Sequence, residues 1–149
     1  MDLITKLFDM DLSALVPEMS VFLTGARTLL ILAVLAGPIA LLVLGSLYLF
    51  RPTPEANYHF GFRTYYGMGS IEAWQFSQKI AGMAFGGLGA VLLIVMLIVV
   101  LCFGGKDLLQ IAGTCLVCLL WQAGLALLAR LTVAILAGVF FDGKGNHRR

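Results

Sequence analysis

The sequence predicts an all-α membrane protein with three transmembrane helices plus a short N-terminal amphipathic helix. Three observations predict it. The chain of 149 residues is 60% hydrophobic and only 12% charged, with a mean hydropathy of +0.98, well outside the range of a soluble domain. Its apolar residues gather into three long runs, each able to span a bilayer. Between the first two runs lies a polar, aromatic insert that a bare anchor would not need. The formal charge of +2 is too small to argue for nucleic acid, so membrane lipids are the partner that composition implies.

The chain divides into an N-terminal amphipathic segment, 1–27, and a three-span membrane domain, 28–149, with a loop at 51–79. In the first segment Leu3, Ile4, Leu7, Phe8, Leu12, Leu15 and Val16 recur at helical spacing, opposite Asp2, Lys6, Asp9 and Ser13. Pro17 is expected to break that pattern. Its acidic face suits the outer interface, or equally a helix packed on the bundle or on a partner subunit.

The first span covers Thr28–Phe50, 23 residues without a charge. No basic region precedes it and it is too long for a cleaved signal peptide. Gly37-Pro38 near its middle predicts a kink, since proline removes one backbone donor. The second span, Ile80–Phe103, is also uncharged, and Gly82, Gly86 and Gly89 form a stripe that lets a neighbouring helix approach closely. The third runs from Leu108 to Phe141, interrupted by Gln110, Gln122 and Arg130. Cys115-Leu-Val-Cys118 within it matches C-x-x-C. It lacks a basic neighbour, a helix N-terminus and a second ligand pair, so buried packing is the expected role.

Orientation follows from the basic residues. Arg51, Arg63, Lys79, Lys144, Arg148 and Arg149 share one side, against Lys6, Arg27 and Lys106 on the other. The positive-inside rule puts the 51–79 loop and the C-terminus in the cytoplasm and the N-terminus outside.

The loop itself leaves the membrane in extended form at Arg51-Pro-Thr-Pro54. Gly61, Gly67 and Gly69 allow tight turns. Ser70 is placed to N-cap a helix that carries Glu72 in its first turn and continues through Lys79 into the second span. Trp74 and Phe76 fit an interfacial aromatic belt. Asn57, Arg63, Thr64, Glu72 and Gln78 form a polar set, and Arg130 joins it from below. Arg130 lies 22 residues beyond Leu108, ~33 Å along a helix, at the same membrane surface. Two readings stand for this set: a site for a carboxylate, phosphate or peptide terminus, or a polar network holding the loop to the bundle, with Glu72 paired to Arg63 or Arg130. For Arg130 a third is a snorkelling side chain that marks the helix end. No nucleophile–base pair or metal cluster is evident, so neither an enzyme, a cofactor nor a bound metal is expected.

Asn57-x-x-x-Gly61-x-Arg63-Thr64, followed by Trp74 and then Gly82, resembles the signature of the SdpI family of bacterial membrane proteins. The resemblance extends from about Asn57 to the end of the third span. It implies a multi-pass protein of the bacterial inner membrane that protects against, or binds, a membrane-active peptide toxin or similar amphipathic ligand. Tyr58, Tyr65-Tyr66 and Gln78 stand where family members usually carry Pro, Pro-Trp and His or Asn. The family's founding member also sequesters a repressor and has extra helices ahead of the motif. This chain has one span there, so that role is not carried over. The alternative function is a structural or transport subunit of an oligomeric or hetero-oligomeric membrane complex.

Overall fold

The computed structural model describes residues 12–56 and 59–148. Among these residues are three helices, α1 over Leu12–Phe50, α2 over Ile71–Leu101 and α3 over Leu108–Phe140. Each is long and apolar enough to cross a membrane, α1 from Met19 onward. The protein is therefore a multi-pass membrane protein, all-helical as the sequence predicts.

One expectation changes. Pro17 does not end a separate helix, because α1 runs without a break from Leu12 to Phe50. Pro17 removes one backbone bond, the one to the Ser13 carbonyl, and the helix continues past it. The 27/28 boundary thus falls inside one helix. Residues 1–11, which carry much of the amphipathic pattern, lie outside the described residues.

Spacing sets the depth of each helix. Arg27 and Arg51, Lys79 and Phe103, and Lys106 and Arg130 are each separated by 24 residues, ~36 Å of helix, or one hydrocarbon core with a margin. At one end Arg27 Nη2 donates to the Phe103 carbonyl at 3.0 Å, which levels α1 with the turn between α2 and α3. Arg51, Lys79 and Arg130 fall at the other end, together with the insert.

α1 and α2 form the most extensive helix pair. Their backbones touch where side chains are absent: a Cβ on Gly45 would collide with the Gly86 backbone, and one on Gly82 would lie 2.6 Å from Leu49 Cγ. The stripe of Gly82, Gly86 and Gly89 thus has its neighbour within the same chain. Away from the insert, Val34, Leu92, Met96, Phe103, Ile111 and Cys115 fill the core. Cys115 Sγ lies 3.8 Å from the Leu30 carbonyl and is a free thiol, as are Cys102 and Cys118. Nearer the insert the core is Phe62, Ala81, Phe85 and Val133.

α1 continues through Pro38, whose side chain is fully buried. The missing proline N–H leaves the Val34 carbonyl without its partner four residues on. Gln122 of α3 supplies the substitute: its Nε2 donates to Val34 O at 3.0 Å. Gly37 makes room, since a Cβ there would overlap Gln122 Oε1. That oxygen is buried and has no hydrogen-bond partner among the described residues.

This pairing generates a double-mutant prediction. Pro38→Ala restores an N–H for Val34, so Gln122→Leu is expected to destabilise the wild type by about 1 kcal/mol more than it destabilises Pro38→Ala. Equilibrium unfolding in mixed micelles measures the difference. Equal effects in both backgrounds would show that Gln122 does not replace the lost donor.

Candidate functional site

The insert folds back onto the first turns of α2. Ser70 caps that helix, its Oγ accepting from Ala73 N at 3.1 Å, with Glu72 in the first turn. Four residues after the cap, Trp74 is 0% exposed. Its Nε1 donates to the Thr53 carbonyl at 3.0 Å and lies 3.1 Å from Thr53 Oγ1, tying the exit of α1 to the entry of α2. Gly61 lies against the indole at φ +123°, where a Cβ would stand 2.5 Å from Trp74 Cζ2. Glycine is required there by both conformation and space.

One turn further along, Gln78 treats the insert as a strand. Its Oε1 accepts from Phe62 N and its Nε2 donates to Phe62 O, each at 3.0 Å. Both backbone groups of Phe62 are thereby satisfied at a buried position. Thr64 closes the next turn, its Oγ1 accepting from Gly67 N at 2.9 Å and its carbonyl accepting from Met68 N at 3.2 Å. Ser77 Oγ, buried beside this turn, has no partner among the described residues.

With its backbone held, Phe62 drives its ring into the bundle, 5.5 Å from Phe85 and 6.3 Å from Tyr48 between centroids. Above these rings is a cavity of 370 Å³ lined by Leu44, Tyr48, Gly61, Phe62, Arg63, Phe85 and Arg130. Arg63 comes from the insert and Arg130 from α3. Among the described residues that line it, none is acidic. The cavity is a cationic pocket with an aromatic floor, at the depth where α1 and α3 reach the interface.

The sequence-predicted residues separate accordingly. Gly61, Arg63 and Arg130 line the cavity. Trp74, Gln78 and Thr64 hold the loop in shape from behind, so Trp74 is buried in protein rather than anchored in an aromatic belt. Gly82 is a helix-packing position against Leu49. Glu72 is exposed and pairs with neither Arg63 nor Arg130 among the described residues. Six residues before Gln78, it is turned ~120° around the helix from the face that holds the insert. Asn57 lies outside the described residues.

The family model described as the SdpI/YfhL protein family matches residues 55–141, from the insert through α3. The chain belongs to the SdpI/YfhL protein family. No curated protein and no solved structure matches it.

In this SdpI/YfhL member the matched region ends at Phe141, and the residues after it also pack on the insert. Phe141 and His147 form an isolated antiparallel bridge. Between them Asp142 Oδ1 accepts from Lys144 N at 2.9 Å and Asn146 N at 2.8 Å. The Asn146 backbone N–H in particular holds the Asp142 carboxyl below its ordinary pKa. Ser70 Oγ, already capping α2, donates to the Gly145 carbonyl at 2.7 Å. Arg148 lies over the Tyr66 ring, 5.7 Å from its centroid. The Asp-Gly-Lys-Gly-Asn run signals this turn in the sequence, though not its docking. Tyr48 and Phe85 carried no signal as site residues, since apolar runs conceal which rings face a cavity, and Phe62 lies within the insert between Gly61 and Arg63.

Two substitutions test the support of the site. Gly61→Ala is expected to destabilise the insert by about 2 kcal/mol or more, through strain and overlap with Trp74. Gln78→Leu leaves two buried backbone groups unpaired and is expected to lose about 2 kcal/mol or more. Limited proteolysis within residues 51–70 reads both, with faster cleavage expected for each. Unchanged cleavage would mean that the insert is held elsewhere.

Proposed function

We propose that this SdpI/YfhL member is an immunity-type protein of the bacterial inner membrane that protects against a membrane-active peptide toxin or similar amphipathic ligand. The observation that carries this reading is the pairing of Arg63 and Arg130 on one cavity with an aromatic floor. Two guanidiniums suit a peptide carboxylate or another anionic group, and Tyr48, Phe62 and Phe85 suit the apolar part beside it. The pocket acts by binding.

The excess of basic residues on the side of the insert supports a cytoplasmic site, with the N-terminus outside. In that orientation the pocket engages a ligand that has already entered the bilayer, from the inner leaflet. A cysteine replacing Tyr65, which is 78% exposed, is expected to resist impermeant thiol reagents in intact cells once the native cysteines are removed. Labelling from outside would reverse the orientation.

Protection is the direct test. Cells that express the protein are expected to survive a panel of amphipathic antibacterial peptides better than cells without it. Arg63→Ala and Arg130→Lys are each expected to lose about tenfold or more of that protection, because lysine cannot reproduce a planar two-bond contact. Both variants should still accumulate in the membrane. Full protection by Arg130→Lys would remove Arg130 from the site, and absence of protection by the wild type would overturn the function.

A further inference from the structure

We infer that the cavity shared by Arg63 and Arg130 takes the phosphate of an anionic glycerophospholipid drawn from the surrounding leaflet. The inference uses the same cavity as the proposed protective role, but it concerns the resident ligand rather than the toxin.

Depth is the first argument. Arg130 stands 24 residues beyond Lys106, and ~36 Å of helix crosses a hydrocarbon core of ~30 Å and ends among the headgroups. The second is charge. Arg63 and Arg130, from separate elements, line one space whose described lining holds no acidic residue, and their summed field favours an anion over a zwitterion. Tyr48 adds a hydroxyl that makes no hydrogen bond among the described residues and is available to a phosphate oxygen.

Shape completes the case. Leu44 lines the cavity and is 39% exposed on the lipid-facing surface of α1, so the space opens toward the bilayer. Leu44, Phe62 and Phe85 offer an apolar wall to the glycerol and the first acyl carbons. The volume of 370 Å³ suits a headgroup.

The test uses the purified full chain in nanodiscs, with native mass spectrometry reading the lipid retained. The wild type is expected to retain phosphatidylglycerol over phosphatidylcholine by about tenfold or more. Arg130→Gln, at an exposed position, is expected to lose most of that preference, and Arg63→Gln likewise. Lys106→Gln, at the opposite end, is expected to keep it. Inorganic phosphate should not displace the lipid. Equal retention of both lipids, an unchanged preference in Arg130→Gln, or displacement by inorganic phosphate would each overturn the inference, the last in favour of a soluble anion. Where Arg63→Gln fails to accumulate, Arg130→Gln alone decides. Protection without lipid preference leaves the proposed function standing and removes this one; lipid preference without protection does the reverse.

Discussion

A backbone group that is buried at membrane depth has no water to turn to, and this protein meets that demand twice with a glutamine side chain. Gln78 closes both hydrogen bonds of Phe62, a residue of an irregular segment that would otherwise bring unpaired polar groups into the bundle. Gln122 meets the carbonyl that Pro38 releases in the middle of α1. The first lets a loop enter the bundle, and the second fastens α3 to α1 where the helix ladder is interrupted. Replacing either amide with an apolar group leaves a buried peptide group without a partner, which costs more than a surface hydrogen bond is worth.

From the first of these follows the shape of the cavity. Phe62 is held by its own backbone, so its ring is free to pack on Phe85 and Tyr48 while Arg63, next along the chain, is carried to the pocket. Gly61 and Trp74 fix the segment from the other side. The cationic pocket therefore rests on neutral side chains. Four of the residues named by the motif serve as support or packing, and two arginines on separate elements supply the charge.

Much of the fold was legible in the sequence because it depends on local rules. Apolar runs of sufficient length, a serine followed by an acidic residue, and a glycine stripe at helical spacing each lead directly to an observed element. Pro17 misled because the single bond it removes is one among many in a 39-residue helix. The site was legible only in part. Gly61, Arg63 and Arg130 were readable as special residues, but the distant pairings were not. Gln78 meets Phe62 across 16 residues and Gln122 meets Val34 across 88, and local periodicity carries no information at such separations. Glu72, which one of the two readings of the polar set pairs with an arginine, is turned away by the same helix geometry that suits it to the first turn.

The bond between Ser70 and Gly145 has a consequence for the order of assembly. Ser70 is translated well before Gly145, and its cap on α2 needs only Ala73, three residues on. The helix can start before the segment that will later cover its beginning exists. α1, α2 and the insert form one contiguous stretch of early, nearby contacts, whereas α3 brings Arg130 afterwards and the turn at 142–146 closes over Ser70 later still. During synthesis the pocket is thus a half-built cradle with Arg63 alone. It gains its second cation when α3 inserts, and it becomes competent to hold an anion between two arginines only at that stage.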